Sequence, residues 1–283
     1  MKDGLRKSLR FVFVVMFIFA LSQVIHLMLD NWDSDQANSH AQSIAGANAT
    51  TTVEPTTEPV PSTTEAVPTE TTVPDTVPPE TTEATLPPDE HTEYLRQLNI
   101  HALQRVNSEV IGWIYIPDTN VNHPLLHTKD NSTYLHTTWE GKENSAGSIF
   151  METKCSPSLT DFNTIIYGHN MRNGSMFGKL KQYRDYDHYL EHRYVYIVTG
   201  YAIYRYEVFS AYEAGINTDT YRLQFTGHAK RKALQHYIDS SVWEAELTPT
   251  LDDRILTLST CTGTGKYETR WVVQAVLDGI WDK

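Results

Sequence analysis

The pattern of apolar and polar positions divides the chain into three stretches. Phe11–Leu21 is an unbroken apolar run, and Val24, Ile25, Leu27, Met28 and Leu29 extend it past Ser22, Gln23 and His26. From Thr50 to Glu90 no period is visible: 14 Thr and 9 Pro fall within 41 residues, and no Phe, Trp or Tyr occurs between Trp32 and Tyr94. After His91 periodicity returns. Leu95, Leu98, Ala102, Leu103 and Val106 recur at helical spacing and predict an amphipathic N-terminal helix. Short runs rich in β-branched and aromatic residues follow, bounded by turn formers, at Val110–Ile116, Ser148–Met151, Asn163–Tyr167, Tyr194–Val198, Tyr201–Tyr212, Ile255–Thr260 and Trp271–Leu277. Helical patterns interrupt them around Phe177–Leu190 and Ala229–Ile238. Many short strands with few helices predict a mainly β fold, a barrel or sandwich decorated by helices.

The first stretch has the length of a membrane span. The nineteen residues from Phe11 to Leu29 rise about 1.5 Å each, or roughly 28 Å. Lys2, Arg6, Lys7 and Arg10 precede the run, and the next basic residue is Arg96. That asymmetry predicts a single pass through the cell membrane, N-terminus inside and the bulk of the chain extracellular. A cleaved signal peptide is the rival, since Ala20-Leu21-Ser22 weakly resembles a small-x-small cleavage site. The apolar character continues past that site, which favours a retained anchor.

The Thr/Pro/Glu stretch lacks the apolar area to offset its ordering entropy. It predicts a disordered linker whose extended, Pro-rich reach is on the order of 100 Å, enough to lift a domain off a membrane. The expected division is therefore residues 1–29 as tail and anchor, 30–90 as linker and 91–283 as folded domain. Charge follows the same division. Of the 35 acids, 12 lie between Asp30 and Glu90, whereas His91–Lys283 carries 22 acids against 19 bases. The formal charge of −12 belongs mostly to the linker, and no basic face suggests a nucleic-acid partner.

Two cysteines occur, Cys155 and Cys261. An exported domain of this size that relied on disulfides would usually carry more, although a single bridge between the two remains an alternative. Cys261 ends the apolar run Ile255–Thr260 and precedes Thr262-Gly263-Thr264-Gly265. A thiol at a strand end beside a Gly-rich loop is presented rather than packed, and a nearby cation would favour its thiolate. Nine residues on, Arg270 opens the next apolar strand; if the two strands pair, its guanidinium returns beside Cys261 as a fixed donor for an oxyanion. His169 ends the run Asn163–Tyr167 through Gly168 and suits proton transfer to or from a thiol.

Taken together these motifs resemble a sortase. They are Tyr167-Gly168-His169-Asn170, Asn173-Gly174-Ser175-Met176-Phe177, Thr257-Leu258-Ser259-Thr260-Cys261 and Arg270-Trp271-Val272-Val273. The Gly-His-Asn-Met and Ser-Met-Phe pattern most resembles class B, and the resemblance covers about residues 91–283. It implies a closed sortase-type β-barrel of about eight strands with an N-terminal helix and further helices between strands. It also implies a cysteine transpeptidase that cuts a C-terminal sorting signal of surface proteins after a threonine. An amino group of a Gram-positive peptidoglycan precursor would then resolve the thioester.

The roles implied are Cys261 as nucleophile, His169 as proton donor and Arg270 as oxyanion partner, with no cofactor or metal. Ser259 and Thr260, by adjacency, and Asn131 and Leu135, in a run resembling a class B groove segment, are the implied substrate contacts. Three rivals stay open. His188-Tyr189-Leu190-Glu191-His192 fits an H-x-x-E-H zinc pattern, though its Tyr- and Asp-rich setting offers no evident further ligand. The same triad would also serve a cysteine hydrolase, and the linker alone would suit a stalked, non-catalytic surface protein.

Overall fold

The computed structural model describes residues 2–46, 88–261 and 269–283. Residues 47–87 of the predicted linker and the Gly-rich loop after Cys261 lie outside the described residues. Eight strands close into a barrel: β1 (Val110–Tyr115), β2 (Asn122–Leu126), β3 (Ile149–Met151), β4 (Asn163–His169), β5 (Tyr194–Val198), β6 (Ala202–Gly215), β7 (Ile255–Cys261) and β8 (Thr269–Asp282). The order around the barrel is β1-β2-β3-β4-β7-β8-β6-β5. The pairs β2–β3 and β4–β7 are parallel and the others antiparallel.

Side-chain alternation along the strands separates the interior from the outer layers. Leu256 and Leu258 of β7 and Trp271, Val273 and Ala275 of β8 enter the barrel core. Ile255 and Val276 face outward instead, under the helix Gly227–Ser240. Thr226 caps that helix, accepting from Ala229 N.

The structure revises several expectations. The N-terminal helical pattern after His91 is two short helices, Glu90–Arg96 and Ile100–Val106, because Asn99 restarts the helix by accepting from Ala102 N. The pattern around Phe177–Leu190 resolves into a 3₁₀ turn, Leu180–Arg184, and a helix, Tyr186–Glu191, separated at Asp185, which caps the second. Strand β2 was not expected.

The largest revision concerns the linker. The N-terminal helix, α1 (Lys2–Ala45), does not end with the apolar run at Leu29 but continues without a break to Ala45. Residues 30–45 contain no Pro or Gly, and Ala37, Ala41 and Ala45 form a stripe at i, i+4 and i+8. That stripe is buried against Leu95, Leu98, Ile100, Leu103 and Trp139 on the outside of the barrel. The carbonyl of Ala45 accepts from Asn99 N at 2.9 Å, and Asp89 is held by Tyr196 and Arg205. Both ends of the Thr/Pro-rich segment are thus fixed to the same barrel. Residues 30–45, expected in the linker, form the C-terminal part of α1 and pack on the barrel.

Candidate active site

Three neighbouring strands bring the predicted residues together. In the parallel β4–β7 ladder the last rung pairs His169 with Cys261, after Tyr167 with Ser259 and Gly168 with Thr260. In the antiparallel β7–β8 ladder Ile255 pairs with Val276 and the register holds through Ser259 with Val272. Thr260 Oγ1 extends it by one rung, accepting from Trp271 N at 3.1 Å and donating to Trp271 O. One rung further, the same register sets Cys261 opposite Arg270. Adjacent strands lie about 5 Å apart, so Cys261 stands between a histidine and an arginine, each one strand away.

His169 is only 7 % exposed. Its Nε2 lies 2.8 Å from the Leu135 carbonyl. A carbonyl only accepts, so Nε2 carries the proton and Nδ1 is left as the basic nitrogen. Burial lowers the His169 pKa; the Leu135 carbonyl opposes that shift and the neighbouring His136 adds to it. The imidazole is therefore neutral at physiological pH, ready to take a proton rather than to give one.

Two local features hold it. Gly168 is needed because a Cβ there would stand 2.8 Å from the Phe177 ring. Phe177 in turn donates its N–H to the His169 carbonyl at 2.9 Å, and Asn170 bridges Met176, so the loop between them folds back over the strand end.

Beside this rung runs a groove of about 350 Å³, lined by Asn131, Leu135, Phe150, Tyr167, Ile216, Tyr221, Ser259 and Arg270. Tyr221 hydroxyl and Ser259 Oγ are 2.9 Å apart. Below Asn131 the carboxylate of Glu152 accepts from Asn131 Nδ2 at 2.7 Å and from the Tyr167 hydroxyl at 3.0 Å. Asn131 Oδ1 accepts from Thr153 N, which fixes which way the amide points. Arg270 donates from Nη1 to Thr269 O and is partly exposed along the groove. A cysteine and a histidine paired at adjacent strand ends, beside a groove that Arg270 lines, are residue types that suit acyl transfer.

A family model, the sortase domain, matches residues 114–278. The chain belongs to the sortase family. Among relatives of this sortase, sortase B of Listeria monocytogenes is 37 % identical over 183 residues, covering 63 % of this chain and 73 % of that protein. Sortase B of Staphylococcus aureus is 31 % identical over 188 residues, covering 65 % and 75 %. A solved Staphylococcus aureus sortase B–substrate complex superposes with a TM-score of 0.61 at 31 % identity, over 65 % of this chain and 85 % of that one. The closed eight-strand barrel with its N-terminal helix matches the sortase B structures, and class B is the class this sortase resembles. The chain is a cysteine transpeptidase of the sortase type.

The substrate contacts expected from sequence divide into two groups. Asn131, Leu135 and Ser259 line the groove. Thr260 does not: it is fully buried, sharing the barrel-facing side of β7 with Leu256 and Leu258, and its hydroxyl is spent on Trp271. Successive strand residues point to opposite faces, so Thr260 does not share the groove-facing side of Ser259. Sequence reasoning missed Glu152, Phe150, Ile216 and Tyr221, and took Tyr167 only as part of a motif. Tyr167 was within reach of the alternation rule, since it shares a face with His169.

Cys155 is a free, buried thiol, so the disulfide alternative fails. It donates to Asn163 O at 3.6 Å, and burial pushes its pKa up to about 12, far from a nucleophile's range. Of the zinc-like pair, His192 Nδ1 bonds the Pro117 carbonyl and the His188 ring packs edge-on to Tyr183.

Proposed function

We propose that this sortase cuts the C-terminal sorting signal of surface proteins after a threonine. It then joins the new carboxyl end to an amino group of a peptidoglycan precursor. The reading is supported by the last β4–β7 rung, which pairs His169 with Cys261, by the β7–β8 ladder that leads towards Arg270, and by Arg270 lining the neighbouring groove. Cys261 sulfur attacks the threonine carbonyl carbon as its thiol proton passes to His169 Nδ1, the nitrogen left free by the Leu135 contact. The electron pair moves to the carbonyl oxygen, where the Arg270 guanidinium, a permanent and directional donor, stabilises it. Collapse expels the amide nitrogen, which takes the proton from the His169 imidazolium and leaves a thioester. The incoming amine attacks that thioester, gives up a proton to His169, and the sulfur leaves and is reprotonated. Every proton in this cycle is carried by the thiol, the imidazole or the amines, so the sequence needs no cofactor.

Asn131, Leu135 and Ser259 are the substrate-contact residues in this reading. The apolar segment of α1 serves as a single-pass anchor with the N-terminus inside and the barrel outside, facing the cell wall of a Gram-positive cell. The test is product analysis with a peptide bearing a Pro-x-Thr motif, chosen as the probe sorting signal because the proposed cut follows a threonine. Added amine should divert the cleaved peptide into an amide-linked product. Free acid alone, whatever the amine concentration, would mean a hydrolase.

A further inference from the structure

We propose that Asp30–Ala45 of α1 is a brace that holds the catalytic histidine in place through the loop 133–148. The proposal rests on the reading of His169 as the acid–base group. The same loop touches both ends of the connection. At one end Leu135, which follows Thr133 and Tyr134 in a single 3₁₀ turn, accepts from His169 Nε2. At the other end three side chains of the loop grip α1. Trp139 Nε1 donates to the Ala37 carbonyl at 2.7 Å in a buried setting, and Asn144 Nδ2 donates to the Asp30 carbonyl at 2.8 Å. Ser145 Oγ donates to the Asp30 carboxylate at 2.8 Å.

The loop between these ends is itself rigid. Asn144 N donates to His136 O, Ser148 N donates to Tyr134 O, and Asn144 Oδ1 accepts from Ala146 N. Gly147, at a φ of +60°, passes so close that a Cβ would stand 2.4 Å from Tyr134 O and 2.8 Å from Leu135 O. A shift of α1 is therefore passed to the Leu135 carbonyl rather than absorbed. Buried Ala37, Ala41 and Ala45 let the helix approach closely enough for these bonds to form. Asp30 follows directly on Leu29, the last residue of the apolar run, so the brace also ties the groove wall to the point where the chain leaves the proposed span.

The experiment uses the full chain in lipid nanodiscs and two variants. Ala41→Phe pushes α1 away from the barrel, and Trp139→Phe removes the indole N–H donor and some packing volume while keeping an aromatic side chain. Turnover of a Pro-x-Thr peptide is measured from pH 5 to 8, with kcat and KM separated. Misplacement of a reacting group by about 1 Å costs on the order of a hundredfold. Ala41→Phe should lower kcat by ten- to a hundredfold, and Trp139→Phe by less. The fall in kcat should exceed any rise in KM that a shifted Leu135 brings, and the acid limb of the kcat profile should move up in pH as His169 is released into water. A purely structural helix would lower the melting temperature alone. Unchanged kcat and an unchanged acid limb in Trp139→Phe, or in a folded Ala41→Phe protein, overturn the brace. His169→Ala, run alongside, separates the two claims: retained turnover there overturns the acid–base reading and the brace with it.

Discussion

Replacing Thr260 by valine distinguishes a strand pin from a substrate contact. Valine keeps the shape and volume of threonine but removes the hydroxyl that accepts from Trp271 N at 3.1 Å and donates to Trp271 O. Each lost hydrogen bond costs about 1 kcal/mol net, and a buried N–H left without a partner costs about 1–3 kcal/mol. Thr260 is fully buried and Trp271 nearly so, so water cannot replace the hydroxyl. The sum is roughly 2–4 kcal/mol. For a domain of this size each kcal/mol lowers the melting temperature by about 2–4 °C, so the variant should melt roughly 5–15 °C lower. Thr260→Ser, which keeps the hydroxyl, should recover most of that. Urea unfolding gives the free energy, and peptide-cleavage kinetics on the same protein give KM. The variant should be less stable with KM nearly unchanged. A stable Thr260→Val protein with a raised KM would refute the reasoning and return Thr260 to the groove.

Arg270→Lys keeps the charge but not the directed donors, and should lose about 10²–10³ in turnover with a melting temperature close to the parent's; near-normal turnover would sink the oxyanion role. His123, whose Nε2 bonds the Asn120 carbonyl, is pushed by burial down to about 4 from an ordinary 6.5. The unfolded chain binds that proton first, so stability present above pH 6.5 is lost as pH falls towards 4, by about 3 kcal/mol. His123→Gln should flatten that part of a urea-unfolding series, and an unchanged slope would contradict the burial argument.

Much of this architecture was legible in the sequence where local pattern and tertiary structure agree. Ile255–Thr260 and Trp271–Leu277 are strong β patterns close together in the chain, so their antiparallel pairing follows from chain geometry alone. The tip of β6 was less accessible, because Ile216 and Tyr221 reach the groove only through tertiary folding. Strand β2 hid behind Pro124, which cannot donate to a ladder; it is tolerated because Pro124 pairs with Trp113 alone, while β3 joins only from Leu125 onward. The extension of α1 carried little hydrophobic signal. Its contact surface is an alanine stripe, which packs by close approach rather than by large apolar side chains.

The central claim is that Cys261, and not Cys155, carries the acyl group. Incubation with a Pro-x-Thr peptide, without amine, followed by intact-mass measurement and peptide mapping tests it directly. Cys155→Ala should accumulate an adduct of the cleaved peptide's mass, lost on treatment with hydroxylamine and mapped to the fragment containing Cys261, whereas Cys261→Ala should show none. An adduct that persists in Cys261→Ala, or vanishes in a folded Cys155→Ala protein, would contradict the account.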